Sequence, residues 1–174
     1  MLPKAIIIYS SVDGQTKKIA QHLSKLMQNT HVVDVFFIRD LHTSIKEYDK
    51  ILIASSVRYG KHNEEIEKLI TSHVQFLNSR KTAFISVNLV ARKKEKSEAH
   101  TNPYVKKFLS ATAWKPLLVR VFAGKLDYSL YGWKDKILIK LIMLITKGPM
   151  RTSTAIEYTD WSSVDKFAQK ILKM

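Results

Sequence analysis

At 174 residues with 45% apolar content, the chain is long enough to bury a sizeable core and too apolar for a disordered segment. It contains no cysteine, which excludes disulfides, thiolate catalysis and cysteine-ligated iron–sulfur clusters. The net charge of +14 is uneven: residues 92–151 hold fourteen Lys/Arg against four Asp/Glu, and the rest of the chain fifteen against eleven. Such a basic third is either a face for something anionic (nucleic acid, lipid headgroups or an acidic small molecule) or a merely solvated surface.

The first apolar run, residues 4–9, is strand-length and follows Met1-Leu2-Pro3 without a small-residue cleavage site, so it does not read as a signal peptide. A helix is predicted from Gly14 to about Met27, because Ile19, Leu23, Leu26 and Met27 fall on one stripe. Strands follow at His31–Phe37 and Lys50–Ser55, and then a helix over about Asn63–Leu77 with Ile66, Leu69, Ile70, His73, Val74 and Leu77 inward. A strand at Thr82–Asn88 opens into a charged loop, Ala91–Thr101, and Asn102-Pro103 supplies the cap and first position of a helix to about Thr112. Leu117–Gly124 reads as the fifth strand and Thr154–Thr159 as another. A last helix after Asp160 turns Val164, Phe167, Ala168, Ile171 and Leu172 inward.

Strands apolar throughout and separated by helices imply a doubly wound parallel α/β sheet of five strands, covered on both faces. The segment from about 126 to 153 breaks that rhythm and reads as an insertion into a single domain spanning 1–174. In it, Lys136, Lys140 and Lys147 share one face of a helix over 133–147, and Leu138, Leu141, Ile142 and Ile145 the other. Tyr128, Tyr131 and Trp133 gather near its start. Two readings fit this helix: it lies in a bilayer surface, or it packs on the domain edge with its lysines in water. The longest apolar run beyond the N-terminal one, Leu141 to Ile145 within this helix, is far short of the roughly 18–20 residues of a membrane span.

Ligands of open α/β sheets bind at the carboxyl ends of the strands. Three loops lie there. Ser10, Ser11, Val12, Asp13, Gly14, Gln15 and Thr16 join the first strand to its helix, and hydroxyls beside a helix N-terminus can cradle a phosphate without a cation. The same residues also suit an ordinary capped turn, and they form neither a Walker loop nor a GxGxxG fingerprint. The second loop carries Ser56, Arg58, Tyr59 and Gly60, an aromatic ring beside a glycine that lets backbone approach a flat heterocycle. The third is Ser86, Val87, Asn88 and Leu89, where Asn88 offers donor and acceptor to a ring edge or simply caps the strand. The histidines at 22, 31, 42, 62, 73 and 100 show no metal-ligand spacing, and no metal is expected. His73, on an apolar stripe, reads as a core residue.

The loop Ser-Ser-x-Asp-Gly-Gln-Thr, the run Ala54 to Gly60, and Ser86-Val87-Asn88-Leu89-Val90-Ala91-Arg92-Lys93 together resemble the HemG-type, menaquinone-dependent protoporphyrinogen oxidases of the long-chain flavodoxin group. Lys107-Phe108-Leu109, Ile139 to Met143 and Tyr158-Thr159-Asp160-Trp161 match the same pattern in order, whereas Leu126 to Tyr131 departs from it. The resemblance implies a flavodoxin-like fold and FMN, held by the three loops above. It further implies oxidation of protoporphyrinogen IX to protoporphyrin IX, with electrons leaving to menaquinone or ubiquinone at the cytoplasmic side of the inner membrane, where the protein would be peripheral. Arg92, Lys93, Lys94 and the nearby Lys96 are then candidates to attract the substrate's propionates, against the alternatives of a lipid contact or a solvated loop. Rival readings are an NAD(P)H:quinone reductase and a flavodoxin-type electron carrier. No helix-turn-helix, RRM or zinc pattern is present, so nucleic acid is not expected.

Overall fold

The computed structural model describes residues 2–127 and 155–174, together with Ile137 and Leu144. Five parallel strands form one sheet: β1 (Lys4–Ser10), β2 (Val32–Phe37), β3 (Lys50–Ser56), β4 (Lys81–Asn88) and β5 (Leu118–Ala123). Their order is β2-β1-β3-β4-β5, with Ala5 beside both Val33 and Lys50, and Ser55 beside Ser86. Alternation along each strand sends successive side chains to opposite faces. Ile7, Tyr9, Leu52, Ile85 and Val87 therefore pack under α1 (Gln15–Met27) and the C-terminal helix α5 (Trp161–Lys173). Ile6, Ile8, Ile51, Ile53 and Phe84 pack under α2 (Glu64–Ser72), α3 (Val74–Asn78) and α4 (Pro103–Ala111). Both faces being buried explains why the strands are apolar without a break. Each fully buried aliphatic contributes roughly 1.5–3 kcal/mol.

Three helix starts are fixed by side-chain caps. The Asn63 carboxamide oxygen accepts from the Glu65 and Ile66 amides at 2.9 and 3.2 Å, Asn102 does the same for Tyr104 and Val105 at 3.2 and 3.3 Å, and Asp160 accepts from Ser163 at 3.3 Å. The start of α1 differs. Gly14, at φ 79°, precedes it without any side-chain cap.

Three expectations need correction. The helix predicted over 63–77 is two helices, broken at His73, whose backbone (φ −122°, ψ 17°) leaves the helical region. The His73 imidazole is half-buried at that junction, with Nδ1 against the Leu69 carbonyl at 3.1 Å and Ser72 Oγ at 2.9 Å. The charged loop 91–101 holds two short 3-10 turns, Leu89–Arg92 and Lys94–Lys96. Most consequentially, the strand expected at 154–159 is shortened to β7 (Ile156–Glu157), and it joins no main-sheet strand. It pairs antiparallel with β6 (Lys125–Leu126), which follows β5 after Gly124. The two ends of the predicted insertion thus leave and return side by side at the carboxyl edge of β5. The helix expected over 133–147 lies outside the described residues except for Ile137 and Leu144, both helical and exposed. Among the described residues no helix is long and apolar enough to cross a membrane, and no three metal-binding side chains gather.

Candidate functional site

The strand order reverses at β1 and β3, and a crevice must open at their carboxyl ends. A cleft is found there, walled by the three loops singled out above. From the β1–α1 loop and the start of α1 come Ser11, Val12, Asp13, Gln15 and Thr16; from the end of β3 and the loop after it come Ser56, Val57, Arg58, Tyr59 and Gly60; from the end of β4 and just beyond it come Val87, Asn88, Leu89 and Val90. Tyr104, Gly124 and Lys125 complete it.

The loop at α1 has a distinctive polarity. Ser11 Oγ, Thr16 Oγ1 and Gln15 Oε1 are buried without a hydrogen-bond partner, and they are the three such side-chain atoms among the described residues. Buried polar groups are nearly always satisfied, and each orphan costs about 1–3 kcal/mol. The two hydroxyls, which can donate, sit beside an uncapped helix N-terminus with no acidic residue in its first turn and form a receptor for an anion, whereas Gln15 Oε1 can only accept and suits a hydroxyl donor. The cradle is hydroxyl and amide in character. Lys17 and Lys18 are exposed, and Lys18 is paired with Glu157 at 3.5 Å. A phosphate ester fits this donor set.

The second loop is a tight two-residue turn. Arg58 N–H donates to the Lys61 carbonyl at 2.8 Å and Lys61 N–H returns to Arg58 at 3.0 Å, with Tyr59 and Gly60 between at φ 50° and 75°. Glycine adopts this region freely, whereas a tyrosine there is strained by roughly 1–3 kcal/mol. Tyr59 is the one non-glycine residue with positive φ among the described residues, and it is 64% exposed where it lines the cleft. The Arg58 guanidinium lies 5.4 Å from that ring and 3.7 Å from the Asp13 carboxylate, tying the first loop to the second.

The third loop is braced from beneath. Asn102 donates from Nδ2 to Asn88 Oδ1 at 3.2 Å and to the Lys96 carbonyl at 2.8 Å. Asn88 Oδ1 also accepts from Ala91 N–H at 3.1 Å, and its Nδ2 donates to Ser86 Oγ at 3.0 Å, which is in turn 2.9 Å from His62 Nε2. The Asn88 side chain is thereby engaged in holding the loop, the strand-cap alternative, while the residue still lines the cleft. His62 is buried against Phe84 and Phe108, and burial pushes its pKa down to about 4, so the ring is neutral.

Some singled-out residues do not line the cleft. Ser10 and Ser86 lie behind the wall; Ser10 Oγ bonds Ser55 Oγ at 3.0 Å, and Gly14, at φ 79°, turns the chain into α1. Arg92 and Lys94 do not face the cleft. They line a separate groove at the β5 edge with Arg120, Tyr158 and Asp160, and Lys93 lines neither. Sequence reasoning missed Tyr104, although Asn102-Pro103 marks a crossover helix starting at the ligand edge, so its first turn was a detectable candidate. It also missed Gly124 and Lys125, which reach the cleft because β5 ends there.

The chain matches the family described as Flavodoxin domain over residues 6–153. Protoporphyrinogen IX dehydrogenase [quinone] of Escherichia coli (strain K12) is 39% identical over 170 residues, covering 97% of this chain and 94% of that protein. Its counterpart in Leishmania major is 39% identical over 169 residues, covering 95% and 73%. Among solved structures, oxidised Flavodoxin 1 from Bacillus cereus is similar at a TM-score of 0.57 with 14% identity, covering 98% of this chain and 97% of that one. At those distances it speaks for the fold alone. End-to-end likeness to the dehydrogenases, on a sheet ordered 2-1-3-4-5 with its cleft at the switch point, decides the question of kinship: the chain belongs to the flavodoxin-domain family, among the quinone-dependent protoporphyrinogen IX dehydrogenases.

Proposed function

We propose that this protein binds FMN and oxidises protoporphyrinogen IX to protoporphyrin IX, passing the electrons to a membrane quinone. The observation that carries the cofactor assignment is the pair of buried, partnerless hydroxyls of Ser11 and Thr16 at the uncapped start of α1. Substrate and acceptor follow from the likeness to the two dehydrogenases. When bound, FMN supplies the redox chemistry, accepting electrons from the reduced macrocycle and yielding them to the quinone.

The chain's own residues bind and orient. Ser11 and Thr16 hydroxyls and the first amides of α1 hold the phosphate. Tyr59 covers the ring system at the cleft mouth, and Gly60 admits backbone beside it. The Asn102–Asn88–Ser86 chain fixes the opposite wall. Asp13, the one carboxylate lining the cleft among the described residues, is engaged by Arg58 and so neutralised near the flavin.

The acceptor is menaquinone or ubiquinone, reached at the cytoplasmic face of the inner membrane, where the protein is peripheral. The basic third supports this reading, as do the two exposed aliphatics Ile137 and Leu144. The test is an absorbance spectrum of the purified protein, followed by a porphyrin fluorescence assay with quinone. A yellow protein that generates porphyrin only with quinone supports the proposal, and a colourless protein that cannot be loaded with FMN refutes it.

A further inference from the structure

A second groove runs between α2 and α4 and opens onto the flavin cleft, sharing Gly60 and Tyr104 with it. It encloses about 330 Å³, within the range of small-molecule sites. Its floor is apolar and partly aromatic, made by Ile70, Phe108 and the buried face of His62. Its rim is cationic, with Lys61 leading into α2 and Lys107 on α4, both exposed.

Two acids of the first turn of α2 are paired with other cations, although Glu64 also feels the charge of Lys61. Glu64 pairs with Lys68 at 2.9 Å and Glu65 with Arg39 at 3.0 Å, and among the described residues neither Lys61 nor Lys107 closes an ion pair. Glu67 is the single carboxylate on the lining. The neutral state of His62, set by its burial, leaves the floor uncharged. An uncharged floor under a two-lysine rim suits an apolar ring that carries carboxylates at its edge. A quinone head group offers the lysines two neutral carbonyl acceptors and no opposite charge, a weaker match than a pair of carboxylates.

Resting on the function proposed above, we propose that the groove between α2 and α4 is the porphyrinogen subsite. The macrocycle lies on Ile70 and Phe108, its propionates reach Lys61 and Lys107, and one edge meets the flavin cleft at Gly60 and Tyr104. This placement differs from the Arg92–Lys94 loop, whose Arg92 and Lys94 face the β5-edge groove instead.

The test uses FMN-loaded protein and three variants: Lys61→Gln with Lys107→Gln, Ala111→Trp to fill the groove, and Arg92→Gln with Lys93→Gln and Lys94→Gln. Protoporphyrin IX binding is read by fluorescence titration, and KM is measured separately for protoporphyrinogen and for the quinone. The lysine pair should raise the porphyrinogen KM roughly three- to thirtyfold, less at high salt, with the loss on KM rather than kcat and flavin content unchanged. Ala111→Trp should weaken porphyrin binding independently of salt. The Arg92 triple variant should leave the porphyrin titration close to wild type. If the groove variants match wild type, or shift only the quinone KM, the assignment is overturned. A wild-type holoprotein that oxidises porphyrinogen while the groove variants behave identically sinks the subsite alone. A wild type that neither binds nor oxidises it sinks the function and the subsite together.

Discussion

Replacing Thr16 by valine should push stability and cofactor affinity in opposite directions. Thr16 is 1% exposed and its Oγ1 has no partner in the flavin-free chain. Valine keeps the shape and exchanges the orphaned hydroxyl for a methyl group, with little change in helix propensity. A buried hydroxyl without a hydrogen bond costs about 1–3 kcal/mol, so Thr16→Val should stabilise the flavin-free protein by about 1–2 kcal/mol. For a chain of this size that raises Tm by roughly 2–8 °C. The same hydroxyl facing a phosphate makes a charge-assisted bond worth about 1.5–3 kcal/mol, so the Kd for FMN should rise roughly 10- to 150-fold. The assay pairs thermal unfolding of flavin-free protein with a flavin fluorescence titration on the same samples. A variant that is less stable without flavin and binds it as tightly as wild type would refute the reasoning, because Thr16 would then be an ordinary first-turn residue.

Further expectations concern groups around the cleft and at the far end of the sheet. His62, with its pKa lowered from 6.5 to about 4, binds a proton in the unfolded chain before it does in the folded one. Stability from its neutral burial is therefore full above about pH 6.5 and lost progressively toward pH 4, by about 3 kcal/mol in all. Urea unfolding at pH 5 and 7 should show this slope, and His62→Gln should flatten it. Tyr59→Asn should relieve the left-handed strain and stabilise the flavin-free protein by up to about 1 kcal/mol while weakening flavin retention; a loss of stability would contradict the strain. Lys50, 6% exposed, donates from Nζ to the Ile171 and Leu172 carbonyls at 2.9 and 3.0 Å, closing the last turn of α5. Lys50→Met should cost about 1–3 kcal/mol and speed amide exchange in that turn, with FMN affinity unmoved.

The layered fold was legible because burial on both faces leaves a coarse mark: Ile6-Ile7-Ile8 has no polar break, and the Ile19–Leu23–Met27 spacing admits one inward face. Helix caps were legible at Asn102-Pro103 for the same local reason. What escaped depends on partners distant in sequence. Nothing in Ile156-Glu157 says that it pairs with Lys125-Leu126 rather than with the sheet, since β propensity does not name a partner. The Asn88 side chain looked available to a ligand because its second partner, Asn102, is fourteen residues away across a loop that folds back. Arg92 and Lys94 sit next to the third loop in sequence, yet the 3-10 turn at Leu89–Arg92 carries them round to the β5 edge. The left-handed Tyr59 breaks a local rule, and such breaks concentrate at working sites.

The central claim, that porphyrinogen is the reductant and a quinone the oxidant, is tested most directly under anaerobic mixing of FMN-loaded protein with each partner in turn. Protoporphyrinogen IX should bleach the flavin's visible absorbance, added menaquinone or ubiquinone should restore it and bring up porphyrin fluorescence, three quinones being reduced for each six-electron oxidation, and NADPH should leave the flavin unchanged. Rapid bleaching by NADPH, with protoporphyrinogen IX inert toward the same flavin, would contradict the account.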